Sequence, residues 1–334
     1  MLAASGGRAH LGLARVVTKL PQNRGVLVTH QGQPRCMKLA ALDLGSNSFH
    51  LLVAEVDATS GELKKVGSHK EMLRLGAVVQ QHGQLSEEAF HAAFDSVSRM
   101  ANVAAQLGAT KLVSVATSAL RDARNGRAFL QACQDRLGVS IDLISGDDEA
   151  RLAYLGARSA LRFTAGRVLV ADVGGGSVEL GVGDGATCDD VLSLPLGFLR
   201  LSHAFPIAEP GGIQRLTRYV QLECERARFN LGRVDTLLLS GGTARAIGKL
   251  LGGGIASAST GQVLRLCDEL SEQSPATLSA RGVDKHRSHT LAAGAAVVSG
   301  LLAGLSQQRL RISPRGLREG VILHELAERT TAAA

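Results

Sequence analysis

Two stretches of this 334-residue chain place a carboxylate just before a glycine-rich turn between apolar runs. In the second stretch, residues 168–180, one apolar run ends near Asp172 and another carries Glu179 back. The pattern predicts a buried strand, a tight turn and a return strand. Successive N–H groups in such a turn form a nest for anions, and Mg²⁺ prefers carboxylate oxygens. Asp172 is therefore a candidate metal ligand, and the candidate phosphate-binding residues are Gly174, Gly175, Gly176 and Ser177.

The same pattern occurs about 129 residues earlier, where Asp43 precedes a polar turn and a second apolar run. Aligning Asp43 with Asp172 sets His50 on Glu179. The shared Asp-x-Gly-x-x-Ser spacing favours a duplicated domain over two unrelated hairpins, with one phosphate loop in each half. Asp43 is the second candidate metal ligand, and the candidate phosphate contacts of the first loop are Gly45, Ser46, Asn47 and Ser48.

Polar residues also follow two further predicted strands. In open α/β sheets ligands gather at the carboxyl ends of the strands. The strand predicted over residues 111–116 is followed by Thr117, Ser118 and Arg121, although an ordinary helix cap with a solvated arginine explains them equally well. The strand over residues 235–240 ends in another glycine-rich turn, in which Gly242 and Thr243 are candidate phosphate contacts.

Three consecutive acids, ending at Glu149, follow the strand predicted over residues 140–144. They open a helix that we expect to run to about Ala160. Acids in a first helical turn usually only complement the helix dipole. Here they also lie on the expected ligand side, and the same field keeps a carboxylate ionised, which suits a general base.

Composition restricts the class of protein. The length predicts two domains, and because no apolar run is long enough to cross a membrane we expect a soluble protein. Five scattered cysteines without a CxxC pair indicate free thiols and a reducing, cytoplasmic compartment. Tryptophan is absent and aromatic residues make up 3%, which argues against stacking platforms for single-stranded nucleic acid.

The net charge of +7 arises mostly from the first 36 residues, which hold five basic and no acidic side chains. The rest of the chain has 32 basic and 30 acidic residues, so no specific nucleic-acid surface is expected. Residues 1–36 resemble a transit peptide only superficially. Because Met37 directly precedes the first predicted strand, a disordered extension or a wrongly assigned start is the preferred interpretation.

Together these blocks resemble the exopolyphosphatase / guanosine pentaphosphate phosphohydrolase family, within the actin-like ATPase and sugar kinase superfamily. The resemblance covers residues 37–325, and the two loops at their spacing around the acidic block make it specific. Its blocks are AALDLGSNSFHLLVAEV, VATSALRDARNG, ISGDDEARLAYLG, LVADVGGGSVELGVG, SLPLGFLRL, LSGGTARAI and SPRGLREGVI.

The resemblance implies an α/β fold of two ribonuclease-H-like domains with a cleft between them. The domains would span residues 37–162 and 163–310, and a C-terminal helix within 311–334 would pack back on the first domain. It also implies Mg²⁺-dependent hydrolysis of a terminal phosphoanhydride. By position, Glu149 would activate the attacking water and Glu179 would orient water or metal, with Asp172 and Asp43 holding Mg²⁺.

Several functions stay open at this point. The substrate would be inorganic polyphosphate or guanosine pentaphosphate, and the sequence does not decide between them. A regulator that binds either ligand with little turnover is an alternative, although both glutamates are retained. A kinase of the superfamily is a further alternative, but the sequence indicates no pocket for a phosphate acceptor. The chain resembles the short form of the family, so its grip on long polymers is in doubt. A homodimer is an open expectation.

Overall fold

The computed structural model describes residues 36–161, 166–184, 187–207, 209–227, 229, 231–252, 257–283, 290–307 and 309–332. The N-terminal segment set apart by sequence therefore lies outside the described residues, except for Cys36. The expected domain connection at residues 162–165 lies outside them as well. Among the described helices, none combines the length and the apolar character needed to span a bilayer.

Eleven strands lie within the described residues. They are β1 (Cys36–Leu44), β2 (Ser48–Asp57), β3 (Leu63–Met72), β4 (Lys111–Ala116), β5 (Asp142–Leu143), β6 (Val168–Val173), β7 (Val178–Gly183), β8 (Asp190–Leu194), β9 (Thr236–Ser240), β10 (Ser257–Ser259) and β11 (Arg309–Ile312). The helices described are α1 (Leu75–His82), α2 (Glu87–Gln106), α3 (Ser118–Asp122), α4 (Gly126–Leu137), α5 (Gly146–Arg158), α6 (Phe198–Ala204), α7 (Gly212–Arg226), α8 (Gly241–Leu250), α9 (Thr260–Glu272), α10 (Pro275–Ala280), α11 (Leu291–Gly304) and α12 (Leu317–Ala332).

The two sheets repeat one topology. The first has the order β3-β2-β1-β4-β5 and the second has the order β10-β11-β9-β6-β7-β8. In each, an antiparallel three-strand meander continues into two parallel strands on its other side, and the second sheet adds β10, antiparallel to β11, at its edge. Both glycine turns predicted from the sequence connect the first two strands of a meander. Asp43 lies opposite His50, and Asp172 lies opposite Glu179, so the two hairpins have the same register.

Local sequence signals account for the starts of the helices that matter most. Ser86 caps α2 by accepting a hydrogen bond from the Ala89 amide, as its sequence predicts. Ser145 caps α5 in the same way, accepting from the Asp148 amide. The three acids therefore do occupy the first turn of α5, immediately after the short strand β5.

Each sheet buries both of its faces. One face of the first sheet packs on α2 and α4, and its other face packs on α12 through Ile322 and neighbouring apolar side chains. The second sheet packs on α7, α9 and α11 on one face and on α5 through Tyr154 and Ala157 on the other. The helix that carries Glu149 thus packs on the second sheet, although it precedes that sheet in the chain.

The two inner helices, α5 and α12, meet at glycines. A Cβ atom on Gly156 would collide with the Gly316 carbonyl, and one on Gly320 would collide with the Leu152 carbonyl. Any larger residue must therefore push the helices apart. Because α12 packs on the first sheet and α5 on the second, this contact also joins the two halves of the molecule.

Gly156→Ala should destabilise the fold by about 3 kcal/mol or more, because the added methyl group meets backbone atoms that cannot rotate away. Thermal or denaturant unfolding measures the loss. Gly261→Ala in α9 is the matched control, since its Cβ would only come within 3.6 Å of the flexible Arg265 side chain. Equal stability of the two variants would contradict the packing described.

Candidate active site

The two glycine turns face each other across a cleft between the sheets. Most of the residues singled out by sequence line it, although they come from distant parts of the chain. Those in the lining are Asp43, Gly45, Ser46, Asn47, Ser48, Thr117, Ser118, Glu149, Asp172, Gly174, Gly175, Ser177, Glu179 and Gly242.

Three predicted residues occupy other positions. Gly176 faces a second cavity behind the turns, where a Cβ would overlap the Ser118 hydroxyl. Arg121 lies beside the lining and reaches Glu149 with its guanidinium. Thr243 is buried, and its side chain packs at Gly294 of α11, because the third position of α8 is directed into the core.

The phosphate loops touch each other at the end of the cleft. The buried hydroxyls of Ser46 and Ser118, which both belong to the first half, lie 2.7 Å apart, and a Cβ on Gly176 of the second loop would overlap both of them. Gly175 of the second loop comes so close to the first that a Cβ on it would lie 3.3 Å from that of Asn47. The overlap at Gly176 and the tight fit at Gly175 explain why the second loop has more glycines than a simple hairpin turn.

The second loop is held in place by α6. Its carbonyls at Gly174 and Gly175 accept hydrogen bonds from the first amides of α6, over 2.9–3.2 Å. The Gly176 carbonyl accepts from Arg200 Nε at 2.9 Å, and the same guanidinium forms an ion pair with Asp122 of the first half. These carbonyl oxygens are therefore occupied by protein donors and do not face an incoming anion.

Glu149 enters the cleft from the first turn of α5. It is 8% exposed, and its Oε2 lies 3.4 Å from Nη1 of Arg121. Burial, followed by the negative charge of Glu179, raises the pKa of Glu149 well above its ordinary value of 4.5, and Arg121 opposes that rise. Burial thus outweighs the field at the start of the helix, which was expected to keep this carboxylate ionised, and the carboxyl holds a proton more tightly than an exposed glutamate.

Glu179 enters from β7 on the opposite side. It is 2% exposed, and its Oε1 accepts a hydrogen bond of 3.1 Å from Ser193 of β8. Burial raises the pKa of Glu179, hydrogen bonding from Ser177 opposes the rise, and the nearby charge of Asp172 adds to it. Because the negative charge of Glu179 raises the pKa of Glu149, the two carboxyls disfavour being ionised together.

Burial also disfavours the charged forms of the two aspartates at the strand ends, Asp43 and Asp172. Burial raises the pKa of Asp43 to about 7, with Arg318 lowering it and Asp172 raising it further. The pKa of Asp172 is raised for the same first reason, and Arg245 opposes the shift. Oδ1 of Asp43 is buried and has no hydrogen-bond partner among the described residues. In that part of the chain no three acidic, histidine or cysteine side chains form a metal cluster by themselves.

The sequence analysis did not predict the positively charged residues of the site. Arg245 of α8 and Arg318 of α12 line the cleft, together with Glu319, whose Oε2 accepts from the Gly316 amide at 2.9 Å. The sequence signal that could have found them is an arginine shortly after a glycine turn: Arg245 follows Gly242, and Arg318 follows Gly316. His50 also lines the cleft, and its Nε2 lies 2.7 Å from the Ser48 hydroxyl.

Two α/β halves of one topology, each presenting an aspartate and a phosphate-type turn to a shared cleft, define an enzyme class with the actin-like ATPase fold. The family model described as the Ppx/GppA phosphatase family matches residues 52–329 of this chain. The chain belongs to the Ppx/GppA phosphatase family and is a hydrolase of phosphorus-containing anhydrides. The family and the fold class expected from the sequence are both confirmed.

Individual relatives agree with that assignment. Exopolyphosphatase 1 of Mycobacterium tuberculosis is 30% identical over 307 residues, which cover 87% of this chain and 88% of that protein. Exopolyphosphatase 1 of Mycobacterium leprae is also 30% identical, over 87% of this chain and 90% of its own. The crystal structure of the Aquifex aeolicus Ppx/GppA family member has a TM-score of 0.75 and 26% identity, covering 88% of this chain and 99% of that one.

Asp43→Asn should stabilise the metal-free protein at pH 8 and have little effect near pH 4. A carboxyl whose pKa rises from 3.8 to about 7 on folding destabilises the folded state as the pH increases through that interval. Removing the charge recovers at most about 4 kcal/mol above that interval. Unfolding in EDTA at both pH values measures the difference, and an equal change at both would contradict the burial described for Asp43.

Proposed function

We propose that the protein releases the terminal phosphate of inorganic polyphosphate, with Glu149 activating the attacking water. The observation that carries this proposal is the meeting of two buried carboxylates, Glu149 and Glu179, in front of two phosphate-type loops. Membership of the phosphatase family supports the reaction, and the names of the mycobacterial relatives support polyphosphate as its substrate.

The two loops and the arginines hold the substrate. Loop amides and the hydroxyls of Ser46, Ser48 and Ser177 bind the oxygens of the terminal phosphates. Arg245 and Arg318 offset part of the negative charge. Phosphoryl transfer depends mainly on such positioning and charge neutralisation, because little covalent help is needed.

The chemical step needs one water and one base. The water oxygen forms a bond to the terminal phosphorus while the bridging P–O bond breaks and its electron pair leaves with the shortened chain. Glu149 accepts the proton of the water, and Glu179 orients that water from the opposite side. Arg121, 3.4 Å from Glu149, favours the ionised form that the base needs.

Mg²⁺ is the cofactor that this donor set fits. Mg²⁺ usually takes one or two protein carboxylates and completes its shell with water and substrate phosphates, so a cluster of three protein ligands is not required. Asp43 offers a buried oxygen without a protein partner, and Asp172 and Glu179 lie in the same lining. These three residues would hold the ion, which would neutralise charge on the phosphates.

Glu149→Gln should lower kcat on polyphosphate by about 10²- to 10⁴-fold, the usual contribution of a general base. Phosphate release by purified protein, with divalent metal supplied, measures the effect. Asp147→Asn is the matched control, because Asp147 is an exposed acid in the same helical turn. Unchanged turnover in Glu149→Gln would remove Glu149 from its proposed role.

The same assay separates the candidate substrates. The proposal requires a higher kcat/KM for polyphosphate than for guanosine pentaphosphate. The opposite order would assign the protein to the nucleotide. Tight binding of polyphosphate without release of phosphate, with any divalent metal, would indicate a regulator with little turnover.

Mg²⁺ should raise the melting temperature of the wild-type protein in the absence of substrate, because an ion bound only by the folded state stabilises it. Asp172→Asn should remove most of that increase by deleting one ligand. Differential scanning fluorimetry at constant ionic strength measures both. An equal increase in the wild type and in Asp172→Asn would contradict a metal site at these carboxylates.

A further inference from the structure

We propose that Arg200 is a positioning residue for hydrolysis, because its ion pair with Asp122 holds the two phosphate loops at the separation that the chemical step needs. The proposal rests on the proposed function, since the reaction is the one assigned to the cleft. Arg200 and Asp122 both line the second cavity, behind the turns, and neither belongs to the lining of the cleft. The pair therefore acts on the reaction through the loops and not by contact with the substrate.

Arg200 is attached to the second loop by two hydrogen bonds. Its Nε donates to the Gly176 carbonyl at 2.9 Å, and its backbone amide donates to the Gly175 carbonyl at 3.2 Å. Gly197, which precedes α6, packs against the same peptides, since a Cβ on it would overlap the carbonyl carbons of both glycines. The start of α6 and the second loop are therefore in direct contact, and Arg200 moves with that loop.

Asp122 is attached to the first loop through α3. This short helix begins at Ser118, whose hydroxyl lies 2.7 Å from the Ser46 hydroxyl, and it ends at Asp122. The apolar side chains of the helix, Ala119 and Leu120, are buried in the core of the first half. Asp122 and the first loop therefore belong to one packed unit.

Steric contact sets only the smallest separation of the two loops. A Cβ on Gly176 would overlap the hydroxyls of Ser46 and Ser118, so the loops cannot come closer together. Such contact does not oppose movement apart, and behind the loops lies a partly polar cavity of about 380 Å³, large enough for water. The ion pair between Arg200 and Asp122 joins the two halves in the lining of this cavity and opposes their separation.

The exposure of the ion pair limits what it adds to stability. The side chains of Arg200 and Asp122 are 32% and 42% exposed, and ion pairs that water reaches contribute little to folding because solvent screens the charges. The reaction is more sensitive to geometry, since a displacement of about 1 Å can lower a catalytic rate about 10²-fold. Loss of the pair should therefore change the rate far more than the melting temperature, which distinguishes positioning from a merely structural role.

The test compares Asp122→Ala with the wild type on tripolyphosphate at saturating Mg²⁺. We expect kcat to decrease about tenfold or more and KM to change less than about threefold, because each loop still binds phosphate while water, phosphorus and base lose their alignment. The melting temperature should decrease by about 4 °C or less. Asp122→Glu keeps the carboxylate and should recover most of the lost kcat. In an Arg200→Ala background, Asp122→Ala should lower kcat no further.

Arg167 and Asp189 provide the matched control. Arg167 donates from Nε to the Leu231 carbonyl at 2.9 Å and from Nη1 to Asp189 at 2.7 Å, and the two side chains are 29% and 40% exposed. This pair has the same chemistry as that of Arg200 but lies within the second half. Asp189→Ala should leave kcat within about twofold of the wild type. Equal losses of kcat in Asp189→Ala and Asp122→Ala would overturn the proposal, as would an effect of Asp122→Ala on KM alone or on neither constant.

A distance measurement gives an answer that does not depend on turnover. Spin labels on Ala92→Cys in α2 and Gln214→Cys in α7, two exposed positions, report the separation of the two halves in protein that carries Cys36→Ser and Cys188→Ser. Asp122→Ala should broaden the distance distribution toward longer values, and an unchanged distribution would count against the ion pair. If the wild type releases no phosphate from polyphosphate, the proposed function fails, and this measurement still decides whether Asp122 holds the halves together.

Discussion

The close contact between α5 and α12 is the constraint on which the site depends. Each helix covers one sheet, and the glycines between them let backbone meet backbone at Gly156 and Gly316. The first turn of α5 brings Glu149 to the cleft, and the first turn of α12 brings Arg318 and Glu319. A single packing contact thus fixes the proposed base and part of the positive charge relative to both loops.

The charged groups buried in the cleft destabilise the folded protein. Five carboxyls line the cleft, and burial raises the pKa of four of them, Asp43, Glu149, Asp172 and Glu179. Arginines offset this only in part, and burial lowers the pKa of Arg245 as well. Such groups destabilise a protein without ligand, and they persist where a cation and a polyanion restore the balance of charge. The arrangement therefore supports the proposed site for metal and phosphate over a structural ion-pair network.

Much of the site could be predicted because its signals are local. Strand, turn and strand follow from a short run of apolar residues and glycines, and an aligned pair of such runs predicted that His50 and Glu179 take equivalent positions. The features of the site that could not be predicted from the sequence depend on long-range packing. No local pattern shows that α5 covers the second sheet, or that Arg318 turns into the cleft. Thr243 shows that a local motif can also suggest too much. Its glycine-rich turn does reach the cleft, but the helix directs the Thr243 side chain into the core.

A crystal structure of Glu149→Gln protein with Mg²⁺ and tripolyphosphate tests the central claim most directly. The account predicts that the terminal phosphate lies between the two glycine turns, with a water molecule between its phosphorus and the side chains at positions 149 and 179. Metal density beside Asp43 and Asp172 would complete the predicted arrangement. A terminal phosphate bound elsewhere, with both glutamates remote from it, would contradict the account.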